Sequence, residues 1–148
     1  MLKIISIFLL QFLISQNLLA SDEYFLTLRN DKVNLRQGPS FEYPIKLFYK
    51  KKFLPVLILD KFENFRKIRD HENNTGWIHI SQLSKKKAAI TINEEQLVFS
   101  KPSIYSKPTV ILKKGRLCKV SKCKGEWCKV QVEKFKGWVK KKGLWGLL

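Results

Sequence analysis

The sequence predicts an all-β chain made of two small antiparallel units in tandem. Three observations predict it. Apolar residues recur in short β-branched and aromatic runs and seldom at the three- and four-residue spacing of a helix. Turn residues separate these runs, at Gly38-Pro39-Ser40, Asn73-Asn74-Thr75-Gly76, Lys101-Pro102-Ser103 and Lys124-Gly125-Glu126. The two halves also match in order at a nearly constant offset. Phe65 corresponds to Trp127 at 62 residues, Trp77 to Trp138 at 61, and Gly38-Pro39-Ser40 to Lys101-Pro102-Ser103 at 63. A second proline follows each of those turns, Pro44 and Pro108. One shared dipeptide is chance, but several ordered matches indicate an internal repeat.

Each element follows from these runs. In the first half, strands are expected at Val33–Arg36, Ile45–Tyr49, Leu54–Leu59, Phe65–Arg69 and Trp77–Ile80. In the second they are expected at Gln96–Phe99, Val110–Leu112, Arg116–Ser121, Trp127–Val132 and Gly137–Lys140. Gly76 and Gly137 each precede a large indole, where glycine permits positive φ or close backbone approach. The charged run Ser84-Lys85-Lys86-Lys87 suits a linker. The units then cover residues 24–84 and 88–148.

Residues 1–20 stand apart. Lys3 is the only charge there, and Ile4 to Ile14 is apolar apart from Ser6 and Gln11. Leu18-Leu19-Ala20 precedes the polar Ser21-Asp22-Glu23. A short positive region, a short apolar core and a small residue before a polar start describe a secretory signal peptide cleaved after Ala20. Eleven helical residues span only about 16 Å, short of a hydrocarbon core of about 30 Å. The expected location is periplasmic or secreted.

The chain has 148 residues, 45% of them apolar, with 29 Lys+Arg against 12 Asp+Glu and a formal charge of +17. This length excludes a barrel of eight β/α units, and the apolar content argues against disorder. The charge is uneven. Residues 21–84 carry 11 basic and 8 acidic side chains, whereas residues 85–148 carry 17 and 4. Lys outnumbers Arg 24 to 5, a bias that coding composition alone can produce.

Val33-Asn34-Leu35-Arg36-Gln37-Gly38-Pro39-Ser40 resembles the opening of a bacterial SH3 domain, and the Gly-Trp-Ile and Gly-Trp-Val strands resemble its closing strand. The order of motifs, with Phe62-Glu63-Asn64-Phe65-Arg66-Lys67-Ile68-Arg69 in the first half and Cys-x4-Cys before Lys129-Val130 in the second, is similar to tandem bacterial SH3 proteins of proteobacterial envelopes. The second repeat departs from the opening motif: Val98-Phe99-Ser100-Lys101-Pro102 lacks the Asn, Arg and Gly. The resemblance implies two SH3-like small β-barrels and recognition of peptidoglycan or envelope proteins. By motif position, its aromatic ligand groove would draw on Phe41, Tyr43, Phe65 and Trp77, and on Tyr105, Trp127 and Trp138 in the second repeat. The alternative for each aromatic is the core, because a small barrel must be filled.

Three cysteines stand at 118, 123 and 128. Cys123 and Cys128 flank Lys124-Gly125-Glu126-Trp127, which reads as a four-residue hairpin loop, and such a hairpin brings their Cβ atoms within disulfide reach. Cys118 is then free, as a small buried apolar residue. A zinc site of three cysteines and His79 is the competing reading, against the usual two- to four-residue cysteine spacing.

Catalytic chemistry is thinly supplied. His71 falls in a polar loop and reads as solvated, and His79 reads as outward-facing or at a barrel rim. The acidic residues sit in loops beside lysine, where solvated pairs are the default. Nucleophile-elbow, phosphate-loop and His-Glu-x-x-His motifs do not occur. The expectation is a non-catalytic binding module without a cofactor. Two alternatives stand beside it. In one, a basic second unit presents Lys113, Lys114, Lys140, Lys141 and Lys142 to anionic lipid headgroups or glycans as a weak surface contact. Export argues against intracellular nucleic acid as its partner. In the other, the units serve assembly through protein–protein contacts, and the apolar Gly143–Leu148 end packs back onto a barrel or docks on a partner.

Overall fold

The computed structural model describes residues 22–148. The export segment read over residues 1–20 lies outside the described residues. The first seven strands are β1 (Tyr24–Leu28), β2 (Val33–Arg36), β3 (Ile45–Tyr49), β4 (Pro55–Phe62), β5 (Phe65–Arg69), β6 (Thr75–His79) and β7 (Leu83–Ser84). They form one sheet in the order β3-β2-β6-β5-β4-β1-β7. The next seven are β8 (Ala88–Thr91), β9 (Glu95–Phe99), β10 (Pro108–Lys113), β11 (Leu117–Lys124), β12 (Trp127–Val132), β13 (Phe135–Lys140) and β14 (Leu144–Trp145). Their order, β10-β9-β13-β12-β11-β8-β14, repeats the first sheet strand for strand. All pairings in both sheets are antiparallel. A single 3₁₀ turn precedes the last strand of each, at Ile80–Gln82 and Lys141–Gly143.

Four strands, β2, β3, β5 and β12, have the limits that alternation predicts. Strands β1, β7, β8 and β14 escape that reading. β7 and β14 have two residues each, too few to show a period. All four residues of β8 are buried, so no polar face alternates with an apolar one. The reason lies in the cores. Ile90 belongs to the first core, with Leu28, Val33, Leu35, Val56, Ile68 and Ile78. Its neighbour Ala89 belongs to the second, with Val98, Cys118, Cys128, Val130 and Val139. β8 is therefore a shared wall between two cores.

The C-terminal segment completes this junction. Trp145 packs edge-on against Phe25 of β1, with ring centroids 4.9 Å apart. His71 lies 6.1 Å from the same indole. A Cβ on Gly146, at φ +121°, would stand 2.8 Å from both the Ala88 carbonyl oxygen and Pro55. The apolar end of the chain thus packs back onto the first barrel. Barrels of about 60 residues are marginal alone, and docking lets each bury more apolar surface.

Gly76 and Gly137 serve close approach. A Cβ on Gly76 would stand 2.7 Å from the Arg36 carbonyl oxygen, and one on Gly137 would stand 2.7 Å from that of Phe99. Neither takes positive φ. The bare α-carbons let β6 and β13 cross tightly onto β2 and β9.

Two loop readings are corrected. Asp70 is only 2% exposed, not solvated. Its carboxylate accepts hydrogen bonds from the Glu72 amide (2.9 Å), the Asn74 amide (2.8 Å), the Asn74 side-chain amide (2.8 Å) and the Tyr49 hydroxyl (2.9 Å). These four donors replace water around a buried charge. Burial first, and the Asp70 charge second, push the Tyr49 hydroxyl far above the ordinary tyrosine range. His71 is likewise half-buried, with Nδ1 enclosed and unpartnered.

Candidate functional site

In the first barrel the β2–β3 loop is tied internally and then pinned by arginine. The Gln37 amide donates to the Pro44 carbonyl at 3.0 Å, and the Glu42 amide to Ser40 Oγ at 3.1 Å. Arg36 Nη1 donates to the carbonyls of Phe41 (3.1 Å) and Tyr43 (2.9 Å), and its guanidinium lies 5.4 Å from the Phe41 ring centroid. These contacts lay Phe41 across the outer face of the sheet.

β5 and β6 supply that face. Phe65 stands opposite His79 in register, and Lys67 opposite Trp77. On β6 the period of two sends Gly76 and Ile78 inward and Trp77 and His79 outward. Phe41, Phe65 and His79 form a mutual triangle, with centroids 5.2 Å (Phe41–Phe65), 5.1 Å (Phe41–His79) and 5.1 Å (Phe65–His79) apart. Phe65 is 6% exposed because the other two rings cover it, whereas Phe41 is 59% exposed. Edge-to-face pairs of this kind add about 0.5–1.5 kcal/mol beyond their buried area. His79 Nδ1 is 2.8 Å from Ser81 Oγ, which fixes the imidazole plane.

The candidates thus divide. Phe41 and Phe65 come together, with Phe65 as floor and Phe41 as contact surface. The ring of Tyr43 covers Gly38 at the side of the loop, and half-buried Trp77 pairs in register with Arg36. Reading by motif missed Arg36 and His79 as parts of the cluster. The alternation Trp77-Ile78-His79 signals an outward histidine, but which loop folds over it is a tertiary fact.

In the second barrel the aromatic cluster has another composition. Phe99 meets Trp127 edge-on at 5.5 Å and pairs in register with Trp138. Lys140 Nζ sits 5.5 Å from the Trp127 ring centroid and Lys122 Nζ 5.7 Å from that of Trp138. Tyr105 lies outside this cluster, 93% exposed on the β9–β10 loop.

The five candidate lysines separate into two groups. Lys113 pairs with Glu95, and Lys114 with Glu94 at 3.3 Å. Lys140, Lys141 and Lys142 gather around Gly125 and Glu126, with Lys140 3.8 Å from the Glu126 carboxylate. Lys141 donates to the Leu148 carbonyl at 2.6 Å.

Cys123 and Cys128 are disulfide-bonded across the β11–β12 hairpin, directly opposed in register. The turn between these strands is Gly125-Glu126, tighter than a four-residue loop, with Gly125 at φ +58°. Cys118 is free and buried, and that burial pushes its thiol up to about 11 against a slight lowering by Arg116. Among the described residues, no three of His, Cys, Asp and Glu gather as a metal would require.

Two barrels of identical strand order, each carrying an aromatic cluster, define a tandem SH3-like protein. The chain belongs to the bacterial SH3 domain family, whose model matches residues 29–85 and 93–146. No curated protein matches it. Among solved structures it is similar to NlpC2 from Trichomonas vaginalis, at 13% identity and a TM-score of 0.39 over 83% of this chain and 48% of that one. It is similar to NlpC1 from the same organism, at 14% identity and a TM-score of 0.38 over 89% and 49%. An NlpC/P60 family protein from Bacillus cereus matches at 10% identity and a TM-score of 0.37 over 82% and 55%. The chain spans about half the length of these proteins.

Proposed function

We propose that this protein is an exported, non-catalytic module that holds peptidoglycan through the aromatic cluster of its first barrel. The observation that carries this reading is Phe41, exposed yet pinned by Arg36 over Phe65 and His79. An exposed aromatic held in one place costs little further order on binding, as binding hot spots require. The two carbonyl bonds both use Nη1 of Arg36. Among the described residues Arg36 makes no ion pair, and its guanidinium lies against the Phe41 ring, so it suits a carboxylate, which peptidoglycan stem peptides carry.

The test is co-sedimentation of the purified protein with isolated cell wall, comparing Phe41→Ala and Arg36→Lys with the wild type. Phe41→Ala should weaken retention about tenfold or more, with a modest fall in melting temperature from the lost ring contacts. Unchanged retention by both variants would overturn the reading. Retention on an envelope protein fraction instead would assign the cluster to protein recognition.

A further inference from the structure

Phe53 occupies an unusual position. Its backbone takes φ +65°, in the left-handed region that a bulky side chain rarely adopts. The repeat shows what the position asks for. The Phe53 amide donates to Leu28 O in the first barrel, as the Gly115 amide donates to Thr91 O in the second, and Gly115 sits at φ +79°. Glycine meets the backbone requirement there without strain.

Around the Phe53 ring stand three ammonium groups. Lys52 and Lys86 Nζ each lie 5.4 Å from its centroid, and Lys119 Nζ lies 5.2 Å away. Lys52 belongs to the first barrel, Lys86 to the linker and Lys119 to β11 of the second. Among the described residues, none of the three makes an ion pair with a carboxylate. The ring face offsets part of their mutual repulsion, but three clustered positive charges still call for an anion.

The linker backbone is fixed, so Lys86 and Lys87 are held at the junction while their side chains stay exposed to an incoming anion. Thr27 Oγ1 donates to Lys86 O at 2.8 Å, and the Val120 amide donates to Lys87 O at 3.0 Å. Phe53, Lys86, Lys87, Lys119 and Val120 line a groove of about 270 Å³. A second groove of about 790 Å³, also flanked by Lys86 and Lys87, runs along β1 to the C-terminal segment and adds Lys85 and Lys141.

The geometry points to a phosphate-binding site at the junction of the two barrels, centred on Phe53, Lys52, Lys86 and Lys119. The ligand is a phosphate-bearing anion with more than one charge, as a lipid headgroup or a soluble phosphate chain presents. The site shares no residue with the aromatic cluster of the first barrel. It draws cations from both barrels and the linker, so its occupation also braces their arrangement.

Two arms distinguish the sources. One is calorimetric titration of the purified protein with inorganic tripolyphosphate. The other is co-sedimentation with phosphatidylglycerol vesicles, against phosphatidylcholine vesicles. The Lys86→Glu, Lys119→Glu double variant should lose about tenfold or more in whichever arm shows binding. Lys113→Glu, Lys114→Glu changes the charge equally and should lose less than about twofold. Phe53→Gly keeps every charge and installs the residue of the second barrel. It should weaken binding several-fold without lowering the melting temperature, so the site is tested even if the charge reversal unfolds the protein. Equal losses in the two charge-reversal variants, or absence of wild-type binding in both arms, would overturn the proposal. Phe41→Ala should leave both arms unchanged, so failure here is separate from failure of the cell-wall reading.

Discussion

In the first barrel Ser40 Oγ accepts from the Glu42 amide, and in the second Ser103 Oγ accepts from the Tyr105 amide. The Gln37 amide reaches Pro44 O, and the Ser100 amide reaches Lys107 O. The two loops therefore have one backbone scaffold, residue for residue at an offset of 63. Their side chains diverge on it. Arg36, which pins Phe41, corresponds to Phe99, which meets Trp127 edge-on. Phe41 corresponds to Ile104. His79, which closes the first triangle opposite Phe65, corresponds to Lys140 opposite Trp127. The first loop is tied by a guanidinium and the second by Ser106 Oγ, which donates to the Ser103 carbonyl at 2.7 Å. Backbone hydrogen bonding preserves the loop scaffold in both repeats while leaving the side chains on it free to differ. The missing Asn, Arg and Gly of the second opening motif mark a different surface on the same barrel.

The largest expected effect falls on the element that both barrels use. Ile90→Ala removes a side chain from the first core, on a strand whose next residue fills the second. A loss of about 2–5 kcal/mol is expected by chemical denaturation. Amide-exchange protection should fall in β5 and in β12 together. Loss of protection in only one barrel would show that β8 does not couple them.

The next effect concerns the hairpin tips. Cys123 and Cys128 occupy the positions that Lys61 and Arg66 hold in the first barrel, again directly opposed. One hairpin carries a covalent bond where the other carries two like charges, an unfavourable cross-strand pair. The loop is short, so the disulfide contributes less than the roughly 3 kcal/mol of a 15-residue loop. Cys123→Ala with Cys128→Ala, which puts no polar group in the second core, should lower stability by about 2 kcal/mol or less. Lys61→Cys with Arg66→Cys should form the equivalent bond, seen as a linked peptide on non-reduced mass spectrometry. Free thiols at both introduced positions would show that the hairpin tips are not equivalent.

How much of this was legible in the residues depended on range. The disulfide could be read because its partners flank one turn. The limits of β2, β3, β5 and β12 could be read because these strands alternate or carry marked turns. β8 could not, because burial on both faces removes the period. Asp70 could not, because a carboxylate held by four donors looks, in sequence, like any loop acid. Phe41 and Phe65 could be named from the motif, but Arg36 and His79 join them only when the β2–β3 loop folds over β6. The lysines around Phe53 come from positions 52, 86 and 119, so no local charge run announces them. Runs at 113–114 and 140–142 draw the eye, yet Lys113, Lys114 and Lys140 face glutamates.

The smallest effect gives the sharpest test of how the two loops diverged. A Cβ on Gly38 would stand 2.5 Å from the Tyr43 ring, which is the cover that the ring provides. The second barrel carries Lys101 where the first carries Gly38, and Ser106 where the first carries Tyr43. Loss of the ring there makes room for a side chain, so the two differences belong together. Gly38 does not take positive φ, so alanine suits its backbone and, absent the ring, should stabilise by about 0.4–1 kcal/mol through the unfolded state. With Tyr43 present the ring must move, and Gly38→Ala should instead cost about 1 kcal/mol. The sign of the substitution should therefore reverse in the Tyr43→Ser background. A double-mutant cycle by thermal or urea denaturation reads this directly, with an expected coupling above about 0.5 kcal/mol. Additive effects would mean that Gly38 and Tyr43 diverged independently, and that the opening glycine of the first repeat answers to something other than the ring above it.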